Sequence, residues 1–122
     1  MALTTEEREQ FTALFHKLSE DIHRGIRAAG FWPTPADDNP APNFGEKIAL
    51  VHSELSEALE GYRAFDREDD HLPGFNNAAV ELADAVIRII DLAAGFGYPL
   101  VEALLAKHDY NQTRSHKHGK AF

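Results

Sequence analysis

The sequence predicts an all-α fold, a four-helix bundle in a single domain over residues 1–122. Apolar side chains recur at helical spacing in four segments, and stretches rich in proline or glycine separate these segments. No segment of useful length alternates apolar and polar residues as a strand would. At 43% hydrophobic and 26% charged residues, the composition is that of a globular domain long enough to bury a core.

The first helix is predicted from about Thr5 to Ala29. Thr4 and Glu7 have the spacing of a capping box at its start, and Gly30 is a typical stop. The next segment, FWPTPADDNPAPNF, carries four prolines, which exclude regular structure. We therefore expect a loop between the first and second helices.

The second helix is predicted from about Asn43 to Phe65, and Asn43 with Glu46 is another possible capping box. A polar segment, DREDDHLPGF, predicts a second loop. The third helix is predicted over Asn77–Phe96 because its apolar residues are almost continuous, and the GYP sequence that follows breaks it.

The fourth helix is predicted over about Pro99–Arg114, with the proline at its first position. Residues 115–122 show no apolar periodicity, so we expect a mobile tail. From Lys107 to the end of the chain there are four basic residues against one acid, although the whole chain carries a net charge of −8. The body is therefore strongly acidic and its C-terminal end is basic.

Charge and composition exclude several classes of function. The net charge of −8 argues against binding to a nucleic acid polymer by surface attraction. No apolar run approaches the length of a membrane span, and the N-terminus does not resemble a secretory signal. The absence of cysteine excludes a disulfide framework and a thiolate metal site. We expect a cytoplasmic protein that does not associate with membranes.

Two pairs of acids on neighbouring helices indicate a metal site. At about 100° per residue, Glu54 projects onto the apolar face of the second helix, and Glu57 lies at the edge of that face. Glu81 and Asp84 form a similar pair on the third helix. If the helices pack side by side, the four carboxylates converge, and Mg²⁺ or Mn²⁺ is the cation that suits an all-oxygen site.

A simpler interpretation also fits the third helix. Its polar residues form one narrow stripe, which is typical of a solvent-facing surface, and Asp84 with Arg88 has the spacing of a surface ion pair. Asp91 extends the stripe; it is either an acid that supports the metal ligands or, as we expect, a solvated or capping acid. Glu54 favours the metal site over this interpretation, because a solvated face does not explain an acid between apolar neighbours.

The same stripe predicts self-association. The rest of the third helix is apolar around most of its circumference, and such a helix must be covered on several sides. Three other helices of one small chain do not easily provide that cover. We therefore expect a two-fold homodimer or a larger assembly built from it.

Three segments, taken in order, resemble the MazG-like, all-α nucleoside triphosphate pyrophosphohydrolase superfamily. These segments are EKIALVHSELSEALEG, ELADAVIRIIDLA and KHDYNQTRSHKHGKAF, and the resemblance covers roughly residues 43–120. It implies a magnesium-dependent enzyme that hydrolyses a nucleoside triphosphate between the α and β phosphates. It also implies a four-helix fold assembled as a dimer or a dimer of dimers.

The resemblance assigns roles to particular residues. It implies that the metal ligands are the four acids Glu54, Glu57, Glu81 and Asp84. It places Lys107, Asn111 and Arg114 at phosphate-contacting positions. Many relatives carry a second acid directly before the first ligand, where this chain has Ser53. The base that activates water is therefore open: Glu57 is one candidate, and the metal alone is the other.

Two further residues are candidates for substrate binding. Lys47 lies two turns before Glu54 on the same face and can reach a phosphate, unless it is an ordinary surface lysine. Trp32, next to Phe31, is a candidate to stack on a nucleobase, although aromatic residues beside a helix end are more often part of the core. A non-catalytic helical interaction module that retains the fold is the alternative function, and Ser53 is the residue that favours it.

Overall fold

The computed structural model describes residues 1–37 and 41–121, and these residues form helices and connecting loops. The prediction of an all-α chain is confirmed, because the described residues contain four α-helices and one isolated β-bridge but no strand. A short 3-10 turn, His116–Gly119, follows the last helix. The four helices are α1 (Thr5–Ala28), α2 (Phe44–Arg63), α3 (Asn77–Phe96) and α4 (Leu100–Gln112).

The predicted helix starts are close to the observed ones. Thr4 and Glu7 form the capping box of α1 with both of its hydrogen bonds, and the Asn43 side chain accepts from the Glu46 amide at the start of α2. At the C-terminal end of α3, Gly97 adopts a left-handed conformation with φ of 74°, which ends the helix. The fourth helix is shorter than predicted, because Pro99 is its N-cap and Arg114 lies two residues beyond its last turn.

Helices α2 and α3 form an antiparallel pair that is the centre of the structure. Gly61 of α2 lies against Asn77 of α3 at one end, and Phe44 contacts Phe96 at the other. Helix α1 packs on α3, and α4 packs on both. The buried apolar core is small and consists mainly of short side chains: Val51, Ala58, Ala85, Ile90, Leu92, Ala93 and Val101.

Trp32 joins three helices at the end of the pair where Phe44 and Phe96 meet. Its indole Nε1 donates to the buried Asp91 carboxylate at 2.9 Å, and its ring makes an edge contact with His23 of α1. Lys47 of α2 places its Nζ 4.2 Å from the indole centroid. Asp91 is thus a buried acceptor that also bonds His23 Nδ1 at 2.7 Å, and its predicted position as a solvated or capping acid is wrong.

The polar stripe of α3 faces the interior of the chain. Asn77 and Asp91 are buried, and the three polar residues between them are partly buried. The exposed side of α3 instead carries large apolar side chains that are 37–53% exposed, and α2 continues this surface. We call these residues the α2–α3 apolar face: Leu55, Leu59, Tyr62, Leu82, Val86, Ile87 and Ile89.

No single helix in the described part of the chain is long and apolar enough to cross a membrane. Helices α3 and α4 taken together reach the length and apolar composition of a membrane span, but they are bent by 116° relative to each other.

Gly95 allows Trp32 to reach Asp91, since a Cβ at this position would overlap the indole ring. We expect Gly95→Ala to destabilise the fold by about 1–3 kcal/mol through overpacking. Emission from Trp32, the single tryptophan, should shift to longer wavelength as the ring becomes more exposed. Chemical denaturation followed by fluorescence measures both effects.

Gly25 is the matched control, because a Cβ there has no neighbour within 4 Å. Gly25→Ala should stabilise α1 by up to about 1 kcal/mol through helix propensity and leave the emission unchanged. Equal effects of the two substitutions would show that contact with Trp32 is not what requires glycine at position 95.

Candidate metal site

Three of the four predicted ligands converge between α2 and α3. Glu54, Glu57 and Glu81 each offer a carboxylate oxygen, and these oxygens lie within 4.8 Å of one another. We call these three residues the glutamate cluster. Glu54 is buried at 7% exposure, Glu81 is partly buried and Glu57 is exposed, so the cluster extends from the interior to the solvent.

Arg88 makes the burial of Glu54 possible. Its Nε donates to Glu54 Oε1 at 2.7 Å across the two helices. Burial by itself raises the pKa of Glu54, but the hydrogen bond and charge of Arg88, together with hydrogen bonds to Glu81 and Glu57, outweigh it, so the pKa is lowered overall. The Asp84–Arg88 surface pair, which the sequence offered as an alternative, is not formed within 4.0 Å, because the arginine turns inward to the buried acid instead.

Glu81 carries the largest electrostatic penalty in the cluster. Burial, proton sharing with Glu54 and Glu57, and the charges of those two acids raise its pKa to about 7. Near neutral pH the carboxyl is therefore divided between protonated and ionised forms. Such a shift identifies a site where ionised oxygens are crowded and lack sufficient positive charge.

Asp84 lies outside the glutamate cluster and is partly buried on α3. Burial raises its pKa, the charge of Glu54 raises it further, and the charge of Arg88 opposes both. With all four acids ionised, one guanidinium faces four carboxylates. The electrostatic influence of Glu54 shows that Asp84 belongs to the same charged region.

Two polar residues beside the cluster escape prediction from the sequence. Asp69, in the loop between α2 and α3, is buried and accepts from the Asn77 side chain at 3.0 Å. Asn77 also donates to Glu81 Oε1 at 3.3 Å. The only signal in the sequence was the i,i+4 spacing of Asn77 and Glu81, because the position of Asp69 depends on how the loop folds.

The donor set fits a hard divalent cation. Carboxylate oxygens are the ligands that magnesium and manganese prefer, and the cluster offers three of them without a sulfur or an imidazole. A bound cation would offset the crowding that raises the pKa of Glu81. Glu54, Glu57 and Glu81 are the residues that would hold it, with Asp84 next to them.

The structure assigns local bonds to two other residues considered above. The Ser53 hydroxyl donates to the Leu50 carbonyl at 2.7 Å within α2. Lys47 Nζ donates to the Phe31 carbonyl at 2.7 Å and lies over the Trp32 ring. Lys47 and Trp32 therefore contact each other, and their described bonds belong to the packing around Asp91.

The predicted phosphate-contacting residues lie near one tyrosine at the end of α4. Lys107 Nζ is 4.7 Å and Arg114 Cζ is 5.7 Å from the Tyr110 ring centroid. Asn111 Oδ1 is a buried side-chain oxygen without a hydrogen-bond partner among the described residues. Two cations thus lie near the Tyr110 ring, and the described contacts of all three residues do not include the glutamate cluster.

Comparisons with protein-family models, with curated proteins and with solved structures find no match to this chain.

The raised pKa of Glu81 predicts a pH-dependent stability. Its pKa is about 7 in the fold against 4.5 for the ordinary group, so the fold loses stability as the pH rises between these values. Glu81→Gln keeps the acceptor for Asn77 and removes the charge. At pH 8 in EDTA we expect it to stabilise the protein by about 1–2 kcal/mol, after allowing for solvent screening.

Urea unfolding at pH 5 and at pH 8 measures this effect, and the gain should be much smaller at pH 5. The control is Glu60→Gln, which alters an exposed acid of α2 that pairs with Arg63. A gain from Glu81→Gln that is the same at both pH values would contradict the assigned titration.

Proposed function

We propose that the protein is a magnesium-dependent nucleoside triphosphate pyrophosphohydrolase that forms a nucleoside monophosphate and pyrophosphate. The observation that carries the proposal is the convergence of Glu54, Glu57 and Glu81 within 4.8 Å between α2 and α3. The resemblance of the three sequence segments to the MazG-like superfamily supplies the reaction. The glutamates lie in two of those segments.

The proposed mechanism requires the acids mainly for charge and position. Glu54 is fixed by Arg88, and Glu57 and Glu81 face it from two helices, so the chain presents oxygens from several directions. When bound, Mg²⁺, or Mn²⁺ in its place, supplies charge neutralisation for the phosphate oxygens. Without it, a triphosphate would be repelled by the acids of this region.

Hydrolysis of the α–β bond needs one water and one proton acceptor. The water oxygen attacks the α phosphorus, the bond to the bridging oxygen breaks, and pyrophosphate leaves with the bonding electrons. Glu57 is our candidate to accept the proton of the water, because it is the exposed member of the cluster. Ser53 does not replace it, since a serine hydroxyl is a poor base and this one bonds within the helix.

The basic end of the chain is the proposed binding region for the phosphates. Lys107 and Arg114 provide positive charge on an otherwise acidic protein, and Arg114 can hold two phosphate oxygens with its planar fork. Asn111, between them in sequence, has an amide that can also contact a phosphate. As the sequence suggested, Lys47 remains a candidate for a phosphate contact and Trp32 for stacking on the nucleobase.

We further propose that the working form is a homodimer or a dimer of dimers. The chain exposes 9214 Å² of surface. A compact monomer of 13.6 kDa exposes about 6,600 Å². The excess is larger than one side of a typical protein interface, about 800 Å². The α2–α3 apolar face provides the hydrophobic part of the surface that a second copy would cover.

Light scattering tests the assembly directly. At low micromolar concentration we expect a mass of at least twice 13.6 kDa. Val86→Glu, at a 53% exposed residue of the α2–α3 apolar face, should weaken association by at least about tenfold, because burying an unpaired charge is costly. Leu14→Glu, at a 67% exposed leucine of α1, is the matched control. A well-folded wild-type monomer at these concentrations would overturn the proposal.

A nucleotide panel assayed with magnesium tests the activity. Chromatography should resolve a monophosphate and pyrophosphate for at least one nucleoside triphosphate. Glu81→Gln should reduce kcat/KM by about 100-fold or more through loss of a metal ligand. Glu60→Gln should retain activity, because this acid lies on the exposed face of α2 and pairs with Arg63.

Other outcomes have definite meanings. A folded protein that turns over no nucleotide in the panel would favour the alternative, a non-catalytic helical interaction module. Release of orthophosphate in place of pyrophosphate would show that another bond is cleaved. Activity of Glu81→Gln equal to that of the wild type would exclude Glu81 as a ligand.

A further inference from the structure

We infer that Asn77 is a positioning residue that fixes the Glu81 carboxylate for cation binding, and that Asp69 and Gly61 hold Asn77 in place. The inference rests on the proposed function, because it assumes that the glutamate cluster binds a divalent cation. Asn77 belongs to the polar stripe of α3 but to neither acid pair, and the sequence did not predict this role for it. Its role follows from one buried amide that bonds to two acids.

The Asn77 amide nitrogen bridges these acids. Asn77 is buried at 5% exposure, and its Nδ2 lies 3.0 Å from Asp69 Oδ1 and 3.3 Å from Glu81 Oε1. An amide nitrogen carries two hydrogens, so it can donate one to each carboxylate. The bond to Glu81 orients the carboxylate group and leaves its second oxygen available as a ligand.

Asp69 is held by the backbone of its own loop. Its Oδ2 accepts from the amides of His71 and Leu72, both at 2.9 Å, and its backbone amide donates to the Phe75 carbonyl at 2.8 Å. The hydrogen bond from Asn77 and these amides lower the pKa of Asp69. Asp69 is therefore an ionised acceptor at neutral pH whose position is set by the loop.

Gly61 leaves room for the Asn77 side chain against α2. A Cβ at position 61 would overlap Asn77 Oδ1 and approach Asn77 Cγ at 3.0 Å. The absence of a side chain on this turn of α2 lets Asn77 lie directly against the helix backbone. Helix α2, the loop and α3 thus jointly determine where the amide points, and through it the orientation of Glu81.

This arrangement separates positioning from ligation. Asn77 contributes neither charge to the cluster nor a proton acceptor for the reaction. Its effect should appear in cation affinity, because a ligand that is oriented before binding loses less conformational freedom. Outer-shell partners of metal ligands typically change affinity by about 10- to 100-fold when they are removed.

The test uses Mn²⁺ alone, without nucleotide, and follows binding to the full chain by electron paramagnetic resonance. We expect Asn77→Ala to weaken Mn²⁺ binding by at least about tenfold relative to the wild type. Asn76→Ala is the matched control, because the neighbouring amide donates to Asp66 Oδ2 and to the Asp66 carbonyl. It also removes loop hydrogen bonds, but its described contacts do not include the cluster.

Thermal unfolding of each variant in EDTA separates positioning from loss of folding. Weakened Mn²⁺ binding by folded Asn77→Ala, with Asn76→Ala close to the wild type, supports the inference. Equal weakening of Mn²⁺ binding by both variants overturns the inference, because it would show that binding depends on the general order of the loop. Wild-type affinity in Asn77→Ala also overturns it and leaves the proposed function intact. A wild-type protein that binds no Mn²⁺ overturns the proposed metal site as well.

If Asn77→Ala does not fold, Asp69→Asn provides the second variant. It keeps the size of the side chain but places an amide group among donors, so at least one hydrogen bond that holds Asn77 or the loop is lost. Asp69 does not touch the cluster, but its charge acts on Asp84, so a small loss of Mn²⁺ affinity is expected from charge alone. A loss of at least about tenfold in this folded variant would support positioning through Asn77, and a smaller loss or unchanged binding would overturn it.

Discussion

The ion pair between Glu54 and Arg88 controls how α2 and α3 pack in the middle of the bundle. A buried carboxylate without a partner would be protonated or would force the helices apart. Arg88 lies 2.7 Å from Glu54 and lowers its pKa despite the burial. The helices can then approach closely, and short residues such as Ala58 and Ala85 fill the contact.

One guanidinium does not neutralise the acids around it, and this imbalance affects the rest of the site. Glu57 and Glu81 remain close to Glu54, and the pKa of Glu81 rises to about 7. The crowded acids lower the stability of the fold, and contacts elsewhere must compensate. The hydrogen bond from Trp32 to Asp91 is one such contact, and Asp91 lies ten residues, or about 15 Å along α3, from Glu81. The polar residues of α3 thus hold the fold at one end and create the charged cluster at the other.

The sequence predicts the helices well because apolar spacing and caps are local properties. It also places Glu54 on an apolar face, as observed. Periodicity shows which side of a helix a residue occupies but not what lies opposite, so it left a surface pair of Arg88 with Asp84 open and favoured solvent for Asp91. The position of Asp69 escaped prediction for a related reason, since a folded loop brings it to Asn77 beside the cluster.

Helix α3 has two sides that are unfavourable in the isolated chain. Its polar stripe points into the chain, toward Glu54 and Trp32, and although Ile90 and Leu92 are buried in the core, other apolar residues such as Val86 point out. An apolar outer surface is unfavourable in water, and a narrow polar interior is unfavourable without compensating charge. A second copy on the apolar face would remove the first cost, and a cation held by the glutamates would remove the second. Both proposals therefore arise from the same helix: each supplies what one side of α3 lacks in the isolated chain.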